Sequence, residues 1–99
     1  MKAMKRLEIV ADTVELKSIL AAVDAAGAPG YTVIKDVLGK GGRGLRNADD
    51  LTDAFKNCLI LVACDETVAT RLVEAVRPIL KRFGGICLVT DAQYVLHES

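Results

Sequence analysis

The chain alternates two kinds of apolar pattern. Residues 7–11, "LEIVA", are a compact apolar run of strand length. From Leu16 the pattern changes: Leu16, Ile19, Leu20 and Val23 recur at the spacing of one helical face. Asp12 precedes Glu15 by three residues, a capping-box spacing that predicts the helix start. "AAGAPG" ends it, through Gly27, Pro29 and Gly30. Residues 31–37, "YTVIKDV", are β-branched and alternating, which predicts a second strand.

The same sequence of patterns then repeats. "NCLILVAC", residues 57–64, is continuously apolar, as expected of a strand covered on both faces or covered on one face and in contact with another subunit on the other. Asp65 or Thr67 can cap a second helix, whose buried stripe is predicted at Val68, Leu72, Val73, Val76, Leu80 and Phe83. Pro78 falls inside that stripe and is expected to kink or shorten the helix. "FGG" breaks it, residues 86–91 read as a fourth strand, and "QYVLH" as a short fifth one. "IVADTVELKSIL" and "LVACDETVATRLV" resemble each other: strand, acidic cap, helix. Two such units predict an α+β fold over residues 1–99, a ferredoxin-like βαββαβ sandwich. It has a four-stranded antiparallel sheet with both helices on one face. The other face then lacks cover, and oligomerisation is the expected remedy.

Composition narrows the function. A length of 99 residues sets one domain. Formal charge is zero, with 13 basic and 13 acidic residues, which argues against general nucleic-acid binding. No apolar run reaches membrane-span length, and the N-terminus lacks a signal-peptide pattern. Cys58, Cys64 and Cys87 contain no CxxC pair and read as reduced core residues, which points to the cytoplasm. His97 reads as an exposed tail residue. No triad or paired-carboxylate arrangement supports an enzyme.

Between strands two and three lies "LGKGGRGLRNADD", with Gly39, Gly41, Gly42 and Gly44 interleaved with Lys40, Arg43 and Arg46. It matches G-x-G-x-x-G, but no helix follows for a pyrophosphate to meet, so a dinucleotide fingerprint fails on context. A Walker loop fails for want of Gly-Lys-Ser/Thr. Two readings stand: an anion-binding loop of open backbone amides and cations, or a solvated hairpin loop. A span of roughly 17 residues, far beyond the usual hairpin connection, favours function. An RNA-recognition module would need stacking aromatics on the third strand, where there are none. An ACT-like amino-acid-binding module has no strict signature and stays open.

Three stretches resemble the PII signalling proteins: "AGAPGYTVIKDV", "GKGGRG" and "FGGICLVTDAQYVL". They are similar to that family's helix end with second strand, T-loop base, and B-loop with last strand. The resemblance implies a homotrimer binding adenine nucleotides (ADP, AMP or ATP) as regulatory ligands between subunits, with no cofactor proper. By position it implies that Thr32 and Val62 border the adenine. It sets Gly39, Lys40, Gly41, Gly42, Arg43 and Arg46 along the phosphates, and brings Gly84 and Gly85 in from the B-loop. The T-loop would span about residues 39–56.

Departures from the standard pattern are informative. The T-loop is short and has no tyrosine or serine for modification; Thr52 is its only hydroxyl. Gly85 stands where standard members carry a phosphate-binding lysine, and the C-terminal "VLHES" lacks their arginines. "GAPGYTV" followed by "GKGGRG" is closer to the PII-like branch linked to inorganic carbon. That branch includes the bicarbonate-transporter regulator and the carboxysome-associated PII protein. This implies bicarbonate as a second ligand, held by Gly41, Gly42 and Arg43, and a bicarbonate transporter or carboxysome component as partner.

Overall fold

A computed structural model of the chain describes residues 1–38, 40–41, 44–45 and 56–97. Strand β1 (Lys2–Asp12) leads through a 3-10 turn (Thr13–Glu15) into α1 (Leu16–Ala25), and β2 (Thr32–Val37) follows. A two-residue ladder, β3 (Lys40–Gly41) with β4 (Gly44–Leu45), precedes β5 (Asn57–Cys64), α2 (Glu66–Phe83) and β6 (Ile86–Tyr94). The main sheet is antiparallel, in the order β2-β5-β1-β6. This is the expected ferredoxin-like sandwich.

The core lies between the sheet and the two helices. Leu7 and Ile9 of β1 and Cys58, Ile60 and Val62 of β5 are completely buried, as are Ile19 and Val23 of α1 and Leu72 of α2. β5 is buried at every second residue, so its continuous apolar run conceals an alternation. Its other face carries Leu59, Leu61 and Ala63, half-buried rather than polar.

Local chemistry sets the helix ends. Asp65 Oδ1 accepts from the Val68 amide at 2.9 Å, which decides between the two possible caps. At the end of α1 the Ala28 amide donates to Val23 O and the Gly27 amide to Asp24 O, a Schellman closure. Gly27 supplies the left-handed residue, with φ +86°.

Four expectations need correction. Asp12 does not open a capping box: its Oδ1 accepts from Val14, two residues on, and starts a 3-10 turn before the α-helix. α2 runs through Pro78 to Phe83. Pro78 therefore does not shorten it; Glu74 and Pro78 are both exposed, so the carbonyl deprived of its amide faces water. Phe83 leaves that stripe: it is 39% exposed and lies under the Arg82 guanidinium, 5.1 Å from its ring centroid. Finally, "QYVLH" makes no fifth strand. Gln93 and Tyr94 finish β6, where pairing with the polar start of β1 (Lys2 opposite Tyr94) extends both strands.

Candidate functional site

Strand register sorts the expected site residues into two groups. At one end of the sheet, β2 stops at Val37 and β5 starts at Asn57, directly opposite each other; Asn57 also pairs with Asp12. The Thr13 amide donates to Lys56 O at 2.8 Å, tying the returning strand to the 3-10 turn. Val10 pairs with Ile86, so the Gly84–Gly85 turn reaches the same end. The segment rich in glycine and cations therefore leaves and re-enters at the same end of the sheet as that turn, with β1 between them. Of its residues, the backbone of Lys40 and Gly41 is paired with Gly44–Leu45. Gly39, Gly42, Arg43, Arg46 and Thr52 lie outside the described residues.

Gly84 and Gly85 have φ of +87° and +115°. Gly84 caps α2, its amide donating to Leu80 O at 2.8 Å. At Gly85 a β-carbon would come within 2.5 Å of the Val10 carbonyl oxygen and 3.0 Å of Leu80. Glycine is therefore imposed here by the close approach of α2's exit to β1. A lysine at this position has no room, which accounts for its absence. What the turn can offer an anion is backbone.

Thr32 belongs to the other group. It starts β2 opposite Leu61, four β5 residues from the Asn57 that faces Val37, so about 13 Å from the loop end at roughly 3.3 Å per residue. It is exposed and pairs with Leu61 on the face away from the helices. Val62 has no exposed surface; its side chain points into the core, on the face opposite to Thr32. Around Thr32 lies a cleft of about 490 Å³, whose lining includes Gly30, Tyr31, Leu61, Tyr94 and Lys2. The two tyrosines, among only four aromatic residues in the chain, both line it. That scarcity was the signal the sequence offered and the motif reading passed over. Asp36 and Lys56, an ion pair at 3.5 Å beside the loop end, had no sequence signal at all.

All three cysteines carry thiols pushed up by burial, Cys58 additionally by Asp12 and Cys64 by Asp65, so they stay protonated at neutral pH. The Cys58 thiol donates to Ala11 O at 3.6 Å. Among the described residues no group of histidine, cysteine and carboxylate side chains could hold a metal. No described helix is long and apolar enough to cross a membrane.

This arrangement can be set against known proteins. The family model of the nitrogen regulatory protein P-II matches residues 4–98. The chain belongs to the P-II family. Its members are signalling regulators. CPII, a nitrogen regulatory PII-like protein from Thiomonas intermedia K12 bound to ADP, AMP and bicarbonate, is 26% identical. The match covers 93% of this chain and 88% of that one, with a TM-score of 0.83. A PII-like signalling protein from Thermus thermophilus is also 26% identical over 92% of this chain and 88% of its own, with a TM-score of 0.74. The Bacillus subtilis GlnK–ATP complex, at 19% identity over 93% and 84% and a TM-score of 0.67, shares the fold. No protein of curated function matches significantly.

Proposed function

We propose that this P-II family member is a non-enzymatic, homotrimeric cytoplasmic sensor. It binds an adenine nucleotide, ADP or AMP by preference, together with bicarbonate in clefts between subunits. It regulates inorganic-carbon uptake or fixation through ordering of the segment around residues 39–56. A transporter or carboxysome component is the partner class.

The observation that carries this reading is the separation of the site residues within one chain. Gly84, Gly85 and the loop base lie at one end of the sheet, and Thr32 lies about 13 Å further along β2, in register with Leu61, Glu8 and Leu88. That separation suits a ligand with a base at one end and phosphates at the other. A second copy packed on the exposed sheet face closes the site over that ligand. The uncovered sheet face supports such packing: Ile34, Leu59, Val10 and Ile86 form one apolar row across all four strands. The likeness to CPII supports the ligand pair. Backbone amides of glycine and the cations Lys40, Arg43 and Arg46 suit phosphates and a planar anion, with Gly41, Gly42 and Arg43 as the bicarbonate donors. For Val62 the reading is narrowed to its backbone, since its side chain is in the core. The P-II match leaves an ACT-like amino-acid module without a supporting observation.

Calorimetric titration with ADP, with and without bicarbonate, tests this. Saturable ADP binding that bicarbonate tightens is expected, and linkage requires ADP to tighten bicarbonate binding by the same factor. Binding indifferent to bicarbonate would remove the inorganic-carbon reading. No binding of any adenine nucleotide would remove the sensor.

A further inference from the structure

Among the described residues, Asp36 is the one non-glycine residue with a positive φ, +62°. It sits at an irregularity of the β2–β5 ladder. Lys35 pairs with Cys58 and Val37 with Asn57, so Asp36 is an extra residue on β2 opposite no partner. This is a bulge, and a bulge shifts the phase of a strand. Side chains alternate with period two, so one inserted residue moves every later side chain to the other face. Here it sets Val37 on the face of Ile34 and Asn57, immediately before Leu38 and the glycine-rich segment. Aspartate tolerates the left-handed region better than most residues; a β-branched residue does not. The Asp36 carboxylate also meets Lys56 Nζ at 3.5 Å, across from it on the returning chain. Lys56 is fixed in turn through its carbonyl, which accepts from the Thr13 amide. One residue thus fixes both the phase of the outgoing strand and a contact to the incoming one.

We propose that Asp36 is a positioning residue for the nucleotide-phosphate site, resting on the function proposed above. Its left-handed bulge sets the face on which the glycine- and cation-rich segment leaves the sheet, and the pair with Lys56 holds the two strands together where it does so. The backbone conformation is the larger part. The ion pair, with Asp36 66% exposed at the side chain, is the smaller one.

The test compares Asp36→Gly, Asp36→Asn and Asp36→Val by ADP titration, by melting temperature, and by amide hydrogen exchange at Val37, Asn57 and Thr13 without ligand. Glycine and asparagine keep the left-handed conformation and are expected within threefold of the parent in ADP affinity. Valine favours extended backbone and is expected to lose at least tenfold in affinity. It should also lose protection at Val37 and Asn57, with a melting temperature within a few degrees of Asp36→Asn. A valine variant that binds ADP like the parent overturns the proposal while the sensor reading stands. Equal losses in all three variants overturn it too, since the charge and not the bulge would be at work. A parent protein that binds no adenine nucleotide overturns both, and the titration of the unmutated chain alone identifies that case.

Discussion

The two faces of the sheet are made from the same kinds of residue and have different fates. On the helix side, Leu7, Ile9, Ile60 and Val62 have no exposed surface. On the other side, Ile34, Ile86 and Leu88 are half exposed at 50%, 52% and 52%. Alternation alone does not distinguish them, because β5 and β6 are apolar in both phases. One face is closed by the chain's own helices. The other keeps an exposed apolar row, Ile34, Leu59, Val10 and Ile86, with the Arg6–Glu8 pair beside it. The first stabilises the subunit; in the proposed trimer the second would stabilise the assembly, and mutations on the two should then separate.

Ile60→Ala should act on the subunit. It removes a completely buried side chain from the central strand, and such truncations cost about 2–5 kcal/mol. Chemical denaturation should show an unfolding free energy lower by that amount, with the midpoint falling in proportion, and similar loss at low and high protein concentration. Leu88→Lys should do the reverse. Leu88 is opposite Glu8, so a lysine there gains an opposite charge within its own chain and the subunit stays folded. Packing that face against a second copy would then bury the new charge. Light scattering should report loss of the oligomer, while circular dichroism stays unchanged; an intact oligomer would remove the outer face from the interface.

The thiols sharpen the same contrast by chemistry. Cys58 and Cys64 sit on the closed face, and burial pushes both above the ordinary thiol value of 9.0. Alkylation at pH 8 should be slow in the folded protein and fast in denaturant. The linkage has a definite sign. A thiol whose pKa is raised by folding contributes its full stability below the unfolded value, and that stability falls as pH rises through and beyond it. Stability should therefore decline above about pH 9, and Cys58→Ala should flatten the decline. A steeper decline in that variant would contradict the assignment.

Much of this was legible in the sequence because local signals agreed with the fold. The bounds of β5, the Asp65 cap as one of two candidates, the Gly27 helix end and the repeated βαβ order all rest on interactions between near neighbours. What escaped depends on distant ones. Lys2–Arg6 joined β1 because Tyr94–Thr90 lie opposite them, a pairing no pattern in "KAMKR" reveals. Phe83 looked like core by spacing and was displaced by the exit of α2 towards Gly84. The site was legible as composition, through its glycines and cations. The offset of Thr32 from the loop base, the inward-facing Val62, the tyrosine-lined cleft and the Asp36 bulge all follow from strand register, which a single sequence does not specify.

The smallest expected effects give the most discriminating comparison, because they use one type of interaction in two places. Arg77 and Glu74 pair at 3.1 Å on the solvent side of α2, both 65% exposed at the side chain. Arg6 and Glu8 pair on β1, on the outer sheet face between the Leu61 and Leu88 columns. In an isolated subunit the two pairs are equivalent surface contacts, each worth about 0–1 kcal/mol. Glu74→Gln should therefore change stability by less than about 0.5 kcal/mol at any protein concentration. Glu8→Gln should match it in dilute, dissociated protein. Where copies pack through the outer face, the same substitution leaves Arg6 charged and without its carboxylate in an excluded environment, a far larger penalty. Subunit dissociation followed by dilution should then be shifted by Glu8→Gln and left in place by Glu74→Gln. If the two variants dissociate alike, Arg6 and Glu8 face water in the assembly, and the contact between copies runs along the sheet's edges instead.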